Sequence, residues 1–305
     1  LTLFAVQGTF DLSDQTSATF QLLSRGEHEA RDNWETQLEW GYLSHQMDNG
    51  VRVRAGKMRM PLFMYSDSLD LGYAQPFARA PSAVYDQVTL SSYTGLDATY
   101  DLDVFGQTIR TQVFGGHSKE DRMVGQTNAS AELELRNITG AVMSWTNYTW
   151  TFRGVAARAD TNFAPFGTQD DDGEFFGLGM EYEQGNVKAV SEVTRRNVDG
   201  VFPDRDGAYI TLGYRFDSVM PYATYAWVET QDDDKRPTGT LSTQNEKRDD
   251  YSLGVRWDAM PGIALKADWT HSRGFGDTSG ALSGNAMSFA QGQGNRFDHT
   301  NVYTL

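Results

Sequence analysis

Apolar residues in this chain recur at every second position over many short stretches. In one stretch Ala208, Ile210 and Leu212 alternate with Tyr209 and Thr211. Because successive side chains of a β-strand point to opposite faces of a sheet, each stretch predicts a strand with one apolar and one polar face. No window shows the 3.6-residue period of an amphipathic helix. The same alternation continues over residues 34–42, 176–182, 251–258 and 263–270. The sequence therefore predicts an all-β chain.

The connections between these strands alternate in length. Short turns such as residues 103–106 and 261–262 follow one strand, and long polar segments follow the next. The long segments are residues 26–33, 117–128, 161–173, 230–249 and 274–295. Short turns at one end and long loops at the other are typical of outer-membrane barrels, whose strands are about 10 residues long. The pattern therefore predicts a transmembrane antiparallel up-and-down β-barrel.

Aromatic residues lie near the ends of several predicted strands. Trp34 and Tyr42 flank one strand, and Tyr251 and Trp257 flank another. Such positions fit two aromatic girdles at the membrane interfaces. The ordinary preference of aromatic residues for strands is an alternative explanation. A soluble secreted β-sandwich binding protein also stays open, since it too alternates apolar and polar positions.

The alternation predicts fifteen strands over residues 1–305, in a single barrel domain, and residues 51–59, 187–198 and 263–273 are three of them. Bacterial single-chain barrels have an even number of strands. We therefore expect a barrel of about 16 strands, with one ascending strand preceding Leu1. The alternative is 14 membrane strands, with residues 1–11 as an additional pairing segment.

Residues 60–90 form the longest interruption of the strand pattern. They contain Pro61, Pro76 and Pro81, three of the eight prolines of the chain, together with several aromatic residues. The segment is too apolar for a simple solvated loop. We therefore expect this inserted segment to fold into the barrel lumen and to narrow it as a constriction loop.

Composition excludes several classes of function. The chain has 26 Lys and Arg against 41 Asp and Glu, a net charge of −15, and no cysteine. Nucleic-acid binding is disfavoured because phosphate neutralisation needs a basic surface. Thiol chemistry is excluded, the five histidines show no metal-ligand spacing, and catalytic glycine motifs are missing. We expect neither an enzyme nor a cofactor.

The inserted segment and the strand before it carry a local signature. It comprises residues 54–61 (RAGKMRMP), 65–67 (YSD), 72–76 (GYAQP) and 79–85 (RAPSAVY). With this signature the chain resembles the trimeric Gram-negative porins, and in particular a porin-like family of marine and related proteobacteria. The resemblance implies a homotrimer in the outer membrane, in contact with lipids and lipopolysaccharide. It also implies a water-filled channel for small hydrophilic solutes and ions, whose third extracellular loop folds inward.

Positions that alternate with the apolar set should line the lumen. The basic residues predicted there are Arg52, Arg54, Arg59, Arg110, Arg153, Arg196, Arg215 and Arg256. The residues predicted for the constriction loop are Tyr65, Asp67, Asp70, Tyr73 and Arg79. Arginines that face loop carboxylates would create a transverse field that orients dipolar solutes. Alternatively, these arginines pair with neighbouring wall acids as structural bridges.

The leading hypothesis is a passive porin. A substrate-selective channel for anionic or sugar-like ligands is the alternative, in which the arginine row binds the solute. Saturable block of the ion current would distinguish the two.

Two acidic runs lie in predicted extracellular loops. The first comprises Asp170, Asp171, Asp172 and Glu174, and the second is residues 232–234. Hard divalent cations favour oxygen clusters, so the first run is a weak candidate for a Ca²⁺ site that could bridge lipopolysaccharide phosphates. Solvated loop tips are the alternative.

Overall fold

A computed structural model describes residues 3–26, 34–68, 72–123, 130–237, 240–282, 285–286 and 291–305. It contains a sheet of fifteen strands. The strands are β1 (Leu3–Ser13), β2 (Thr16–Arg25), β3 (Thr36–Gln46), β4 (Val51–Arg59), β5 (Ser92–Val104), β6 (Gln107–Met123), β7 (Ser130–Thr146), β8 (Trp150–Phe163), β9 (Thr168–Gln184), β10 (Val187–Val198), β11 (Arg205–Tyr214), β12 (Val219–Thr230), β13 (Lys247–Met260), β14 (Ile263–Arg273) and β15 (His299–Thr304). One helical turn, α1 (Ser82–Tyr85), lies between β4 and β5. Among the described residues, no helix is long and apolar enough to cross a membrane.

The strands follow one another in the sheet in the order of the chain, from β1 to β15. Neighbours pair antiparallel, as between β12 and β13, where Tyr225 lies opposite Tyr251. The predicted all-β, up-and-down arrangement and its fifteen strands are confirmed. Strands β4, β10 and β14 begin and end at the residues that the sequence predicted.

Three predicted loops, residues 117–128, 161–173 and 230–249, are wrong in part because the strands continue into them. β8 extends to Phe163 and β9 begins at Thr168, so most of the predicted loop 161–173 is strand. β6 extends to Met123, into the predicted loop 117–128. Apart from Phe163 and Met123, the residues of these extensions are polar or glycine, so the alternation that marks a strand is missing, although backbone pairing needs no particular side chain.

The turn between β5 and β6 illustrates the short connections. Phe105 and Gly106 both have positive φ, at 50° and 76°. Two central residues with positive φ form the type I′ turn, whose twist matches that of the flanking strands. Glycine reaches this conformation without a steric cost, which confirms the short turn predicted at residues 103–106.

The chain divides into two compact units. The first comprises residues 1–62, 90–144 and 155–174, and the second comprises residues 63–89, 145–154 and 175–305. The second unit therefore contains most of the inserted segment together with the strands from β10 to β15.

Within each unit, the sheet exposes its apolar face and buries its polar one. Leu96 in the first unit is 60% exposed and Leu178 in the second is 71% exposed. By contrast, Asp97 is 3% exposed and Glu192 is 2% exposed. In a water-soluble sandwich the apolar faces pack together and the polar faces meet solvent. The distribution seen here is the reverse, which argues against the soluble sandwich.

Candidate functional site

Residues 63–89 pack on the polar face of the second unit through a cluster of aromatic rings. Phe63 lies 4.9 Å from Tyr85 and 5.4 Å from Phe175, measured between ring centroids. Phe77 lies 6.1 Å from Tyr209 of β11. These rings are buried, and the contact distances suit favourable aromatic pairs. The aromatic content that set this segment apart in the sequence therefore holds it against the wall.

Two wall carboxylates bind the beginning of the inserted segment. Glu192 Oε1 accepts a hydrogen bond of 2.8 Å from the Met64 backbone N–H. The Tyr65 hydroxyl donates to Glu181, which also pairs with Lys188 at 2.9 Å. Burial, reinforced by the nearby charge of Glu181, raises the pKa of Tyr65. The phenol therefore stays protonated and remains a donor.

Wall cations bind the middle of the segment through its backbone carbonyls. Lys266 Nζ donates to the carbonyl oxygens of Gln75 and Phe77, at 2.6 and 2.9 Å. Arg256 Nη1 donates to the same Gln75 oxygen at 2.9 Å. Further along the segment, Arg196 Nη1 donates to the Gln87 oxygen at 2.5 Å. These cations bind main-chain atoms of the segment.

Gly207 on β11 permits the closest approach between the segment and the wall. A Cβ atom at this position would lie 2.4 Å from the Ala83 carbonyl oxygen and 2.4 Å from Gln87 Nε2. Both distances are far below van der Waals contact, and the carbonyl belongs to the backbone of α1. Any side chain at position 207 must therefore displace the segment.

A cavity of about 330 Å³ lies between the segment and strands β11 to β15, within the second unit. Its charged lining residues are Arg79, Asp86, Arg205, Glu246, Arg248, Asp250 and Asp268. Its hydroxyl-bearing lining residues are Ser82, Tyr222, Thr224, Ser252, Thr270, Ser272, Thr300 and Thr304. Its volume lies near the lower end of the range for small-molecule sites, about 300–1,000 Å³.

The wall charges of this cavity form a continuous chain of ion pairs. Arg205 pairs with Glu246 at 3.0 Å, Glu246 pairs with Arg248 at 2.8 Å, and Arg248 pairs with Asp250 at 3.0 Å. Arg248 Nη2 also donates to the Ser82 hydroxyl at 2.8 Å. The wall therefore compensates its own charges and is tied to the inserted segment at Ser82.

Hydroxyl groups cross the cavity wall in register from strand to strand. Thr224 of β12 lies opposite Ser252 of β13, which lies opposite Thr270 of β14. The Ser252 and Thr270 hydroxyl oxygens are 2.7 Å apart. A hydroxyl both donates and accepts hydrogen bonds, so this row offers a solute uncharged hydrogen-bond donors and acceptors.

Arg79 and Asp86 bring opposite charges to the cavity from the segment itself. Both side chains are exposed, and no hydrogen bond or salt bridge joins either of them to another described residue. Neighbouring protein atoms desolvate the Asp86 carboxylate, which raises its pKa, whereas the charges of Arg79 and Arg248 lower that pKa. These two groups are available to a solute.

The other predicted residues of the second unit have the following surroundings. The guanidinium of Arg256 lies 4.9 Å from the centre of the Tyr73 ring, and Tyr73 is exposed. Asp67 is exposed and interacts electrostatically with Arg153. Arg215 Nη1 donates to Asp258 at 2.5 Å.

Asp70, also predicted for the constriction, lies outside the described residues.

The predicted arginines of the first unit are bound to neighbouring wall groups. Arg54 forms a bidentate contact with Asp97, with Nε at 3.0 Å and Nη2 at 2.5 Å. Arg59 pairs with Glu39 at 2.9 Å, and both side chains are buried.

The remaining two basic residues of this set are more exposed. Arg110 pairs with Asp101 at 2.7 Å, and Arg52 Nε donates to Gln46 at 3.3 Å.

The first acidic run lies on strand β9 instead of in a loop, so this placement was wrong. Asp170, Asp171, Asp172 and Glu174 all fall within Thr168–Gln184. On a strand, successive side chains point to opposite faces, which separates Asp171 from its neighbours. Asp170 accepts a hydrogen bond of 3.0 Å from Asn162 Nδ2. Across the part of the chain that the structure describes, no three His, Cys, Asp or Glu side chains form a metal-binding group.

Sequence reasoning missed Arg205, Glu246 and Arg248 as site residues because they lie at or just before the first residues of β11 and β13, ahead of the apolar alternation. The alternation on β13 contained the signal, since Glu246 and Arg248 continue the polar series of Asp250 and Ser252. No apolar residues alternate with Glu246 and Arg248, so the sequence predicts a loop, residues 230–249, at this point.

Comparisons with known proteins agree with this strand order. No protein-family model and no curated protein matches the chain. Among solved structures, OmpF of Salmonella typhi in complex with daunomycin aligns with a TM-score of 0.61 and 11% identity, covering 99% of this chain and 88% of that one. The anion-selective porin from Comamonas acidovorans aligns at 0.57 and 13% identity, covering 90% and 79%. The trimer form of OmpT from Vibrio cholerae aligns at 0.56 and 14% identity, covering 89% and 80%. The chain therefore has the β-barrel fold of outer-membrane porins, as the sequence predicted.

Proposed function

We propose that this protein is an outer-membrane porin of a Gram-negative bacterium, a passive diffusion channel for small hydrophilic solutes and ions. One observation carries the proposal. The sheet exposes a belt of large apolar side chains on one face and buries ion-paired groups on the other. An exposed apolar face suits lipid contact, and a polar interior suits a water-filled passage.

In this proposal the inserted segment forms the constriction of the channel. It is held on the polar face by Glu192, Arg196, Arg256 and Lys266, and it leaves a cavity beside it. A segment that covers part of a polar wall narrows the passage and brings charged groups close to the solute. Asp67 and Arg153 add charges of opposite sign to this region.

The proposed assembly is a homotrimer in contact with lipid and lipopolysaccharide. One of the similar structures is a trimer form, and the exposed apolar belt offers area for both protein and lipid contacts. No catalytic role is proposed.

The decisive experiment is conductance in planar lipid bilayers. Purified protein should insert with stepwise increases of current, and each insertion should close in three sublevels if the assembly is a trimer. Liposomes containing the protein should swell in small neutral sugars and resist larger ones. A properly folded, heat-modifiable protein that carries no current and causes no swelling would contradict the proposal.

The ordered cavity favours selective binding as a second candidate. It holds charged groups of both signs at fixed positions, which a channel that only sieves by size does not need. The signs and positions of these charges also indicate which class of solute the cavity would bind.

A further inference from the structure

The inserted segment presents to the same cavity one cation and one anion that interact electrostatically but form no salt bridge among the described residues. Arg79 and Asp86 stand on either side of α1 and both line the cavity. Neither forms a salt bridge with a described residue. Each is exposed to the cavity, so each can reach a solute without breaking a protein contact.

The wall opposite them adds little net field. Arg205 and Arg248 are bound to Glu246 and Asp250 at 2.8–3.0 Å. The Asp268 carboxylate accepts a hydrogen bond of 3.1 Å from the Tyr222 hydroxyl, and its charge interacts with the charge of Lys266 on the same strand. A singly charged solute therefore meets as much repulsion as attraction here.

The positions of these charges determine which solutes gain binding energy. A simple anion is attracted by Arg79 and repelled by Asp86, and a simple cation experiences the reverse. A neutral sugar gains from neither charge. A solute that carries both charges can place its anionic group at Arg79 and its cationic group at Asp86. The hydroxyls of Thr224, Ser252 and Thr270 can exchange hydrogen bonds with its uncharged groups.

We propose that this cavity is a binding site for small zwitterions, with the solute carboxylate at Arg79 and its ammonium group at Asp86. The inference rests on the proposed channel function and names the solute class that the site retains. Amino acids and short peptides carry this charge pattern.

The test is block of single-channel ion current by a series of zwitterions with increasing charge separation. Glycine, β-alanine, γ-aminobutyrate and glycylglycine should reduce the current in a saturable manner, and one member should bind most tightly. Acetate, propylammonium and arabinose serve as singly charged and neutral controls. They should show no saturable block over the same concentrations.

Variants locate the site. R79Q and D86N should each weaken zwitterion binding by about fivefold, the size expected for loss of one exposed ion pair. The charge swap Arg79→Asp with Asp86→Arg should restore binding, since the zwitterion can reverse its orientation. R273Q and D217N remove charges of the same kinds away from the cavity and should retain wild-type block.

The outcomes separate this inference from the channel proposal. A protein that carries no current refutes the proposed function. Normal current without saturable block by any zwitterion overturns the inference alone. The inference is also overturned if R79Q and D86N are blocked by zwitterions as strongly as the wild type. Swelling of liposomes in arabinose shows that these variants are folded.

Discussion

The second unit differs from the first in that some of its cations bind the inserted segment, in addition to the wall carboxylates that cations of both units bind. In the first unit, Arg54 and Arg59 bind carboxylates of neighbouring strands. In the second unit, Arg256 and Lys266 bind carbonyl oxygens of the inserted segment. The strand pattern places a cation on the polar face in both cases. What lies opposite the cation then decides whether it only closes an ion pair, as Arg59 does, or also anchors the segment, as Arg256 does beside its pair with Asp258.

The largest expected effect is on an ion pair of the first unit. Arg59→Met leaves the Glu39 carboxylate buried without its cation and should lower the free energy of unfolding by about 3–5 kcal/mol. Urea unfolding in detergent micelles measures this. Adding Glu39→Leu should recover most of the loss, because the buried charge is then also removed. A single variant as stable as the wild type would show that this pair does not stabilise the first unit.

The next effect acts on the inserted segment through sterics. Gly207→Val places side-chain atoms where the Ala83 carbonyl lies, so the segment must leave the wall. We expect a loss of about 1–3 kcal/mol in stability, as for other overpacked sites, and a higher single-channel conductance. Gly213→Ala on the same strand is the matched control, since its Cβ meets only the flexible Met220 side chain at 3.2 Å. Unchanged conductance in Gly207→Val would argue against the segment as the constriction.

A smaller effect tests the anchoring by cations directly. Lys266→Met removes the donor to the carbonyls of Gln75 and Phe77, and the loss in stability should be about 1.5 kcal/mol, the lower end of the range for a charged donor, because Arg256 still binds the Gln75 carbonyl. A segment held less firmly should increase the open-channel current noise. Lys119→Met, which removes the exposed pair with Glu132 in the first unit, should leave the noise unchanged. Equal noise in both variants would remove the distinction between the two units.

The smallest effect is a dependence of ion selectivity on pH. Desolvation raises the pKa of Asp86, with a further contribution from Glu246, against the lowering effect of Arg79, Arg248 and Arg205. As pH falls, Asp86 is therefore protonated before an ordinary aspartate, whose pKa is about 4. The cavity then loses a negative charge, so preference for cations should decrease. Reversal potentials in a salt gradient measure this, and D86N should lack the step.

The strand pattern predicted the fold well because a sheet with one lipid-like and one polar face needs strict alternation. β10 shows this, since its limits Val187–Val198 match the prediction. Prediction failed where both faces are polar, as at Glu246 and Arg248, because pairing continues there without an apolar signal.

The site was harder to predict than the fold. Sequence could place Arg256 on the polar face, but it could not show that its partner would be the carbonyl of Gln75, 181 residues away in the chain. Main-chain atoms carry no sequence signal. The contact arises only once the inserted segment has folded back onto the wall.

Anchoring through carbonyl oxygens has a consequence for how this protein can change. Every amino acid other than proline or glycine supplies the same carbonyl with a comparable backbone, so these hydrogen bonds from Lys266 and Arg256 do not depend on which side chain stands at position 75, whereas Phe77 is held by its buried ring as well. The path of the segment is thereby separated from the chemistry that its side chains present. Solute preference could therefore be altered by substitutions within the segment, while the wall that holds it stays the same.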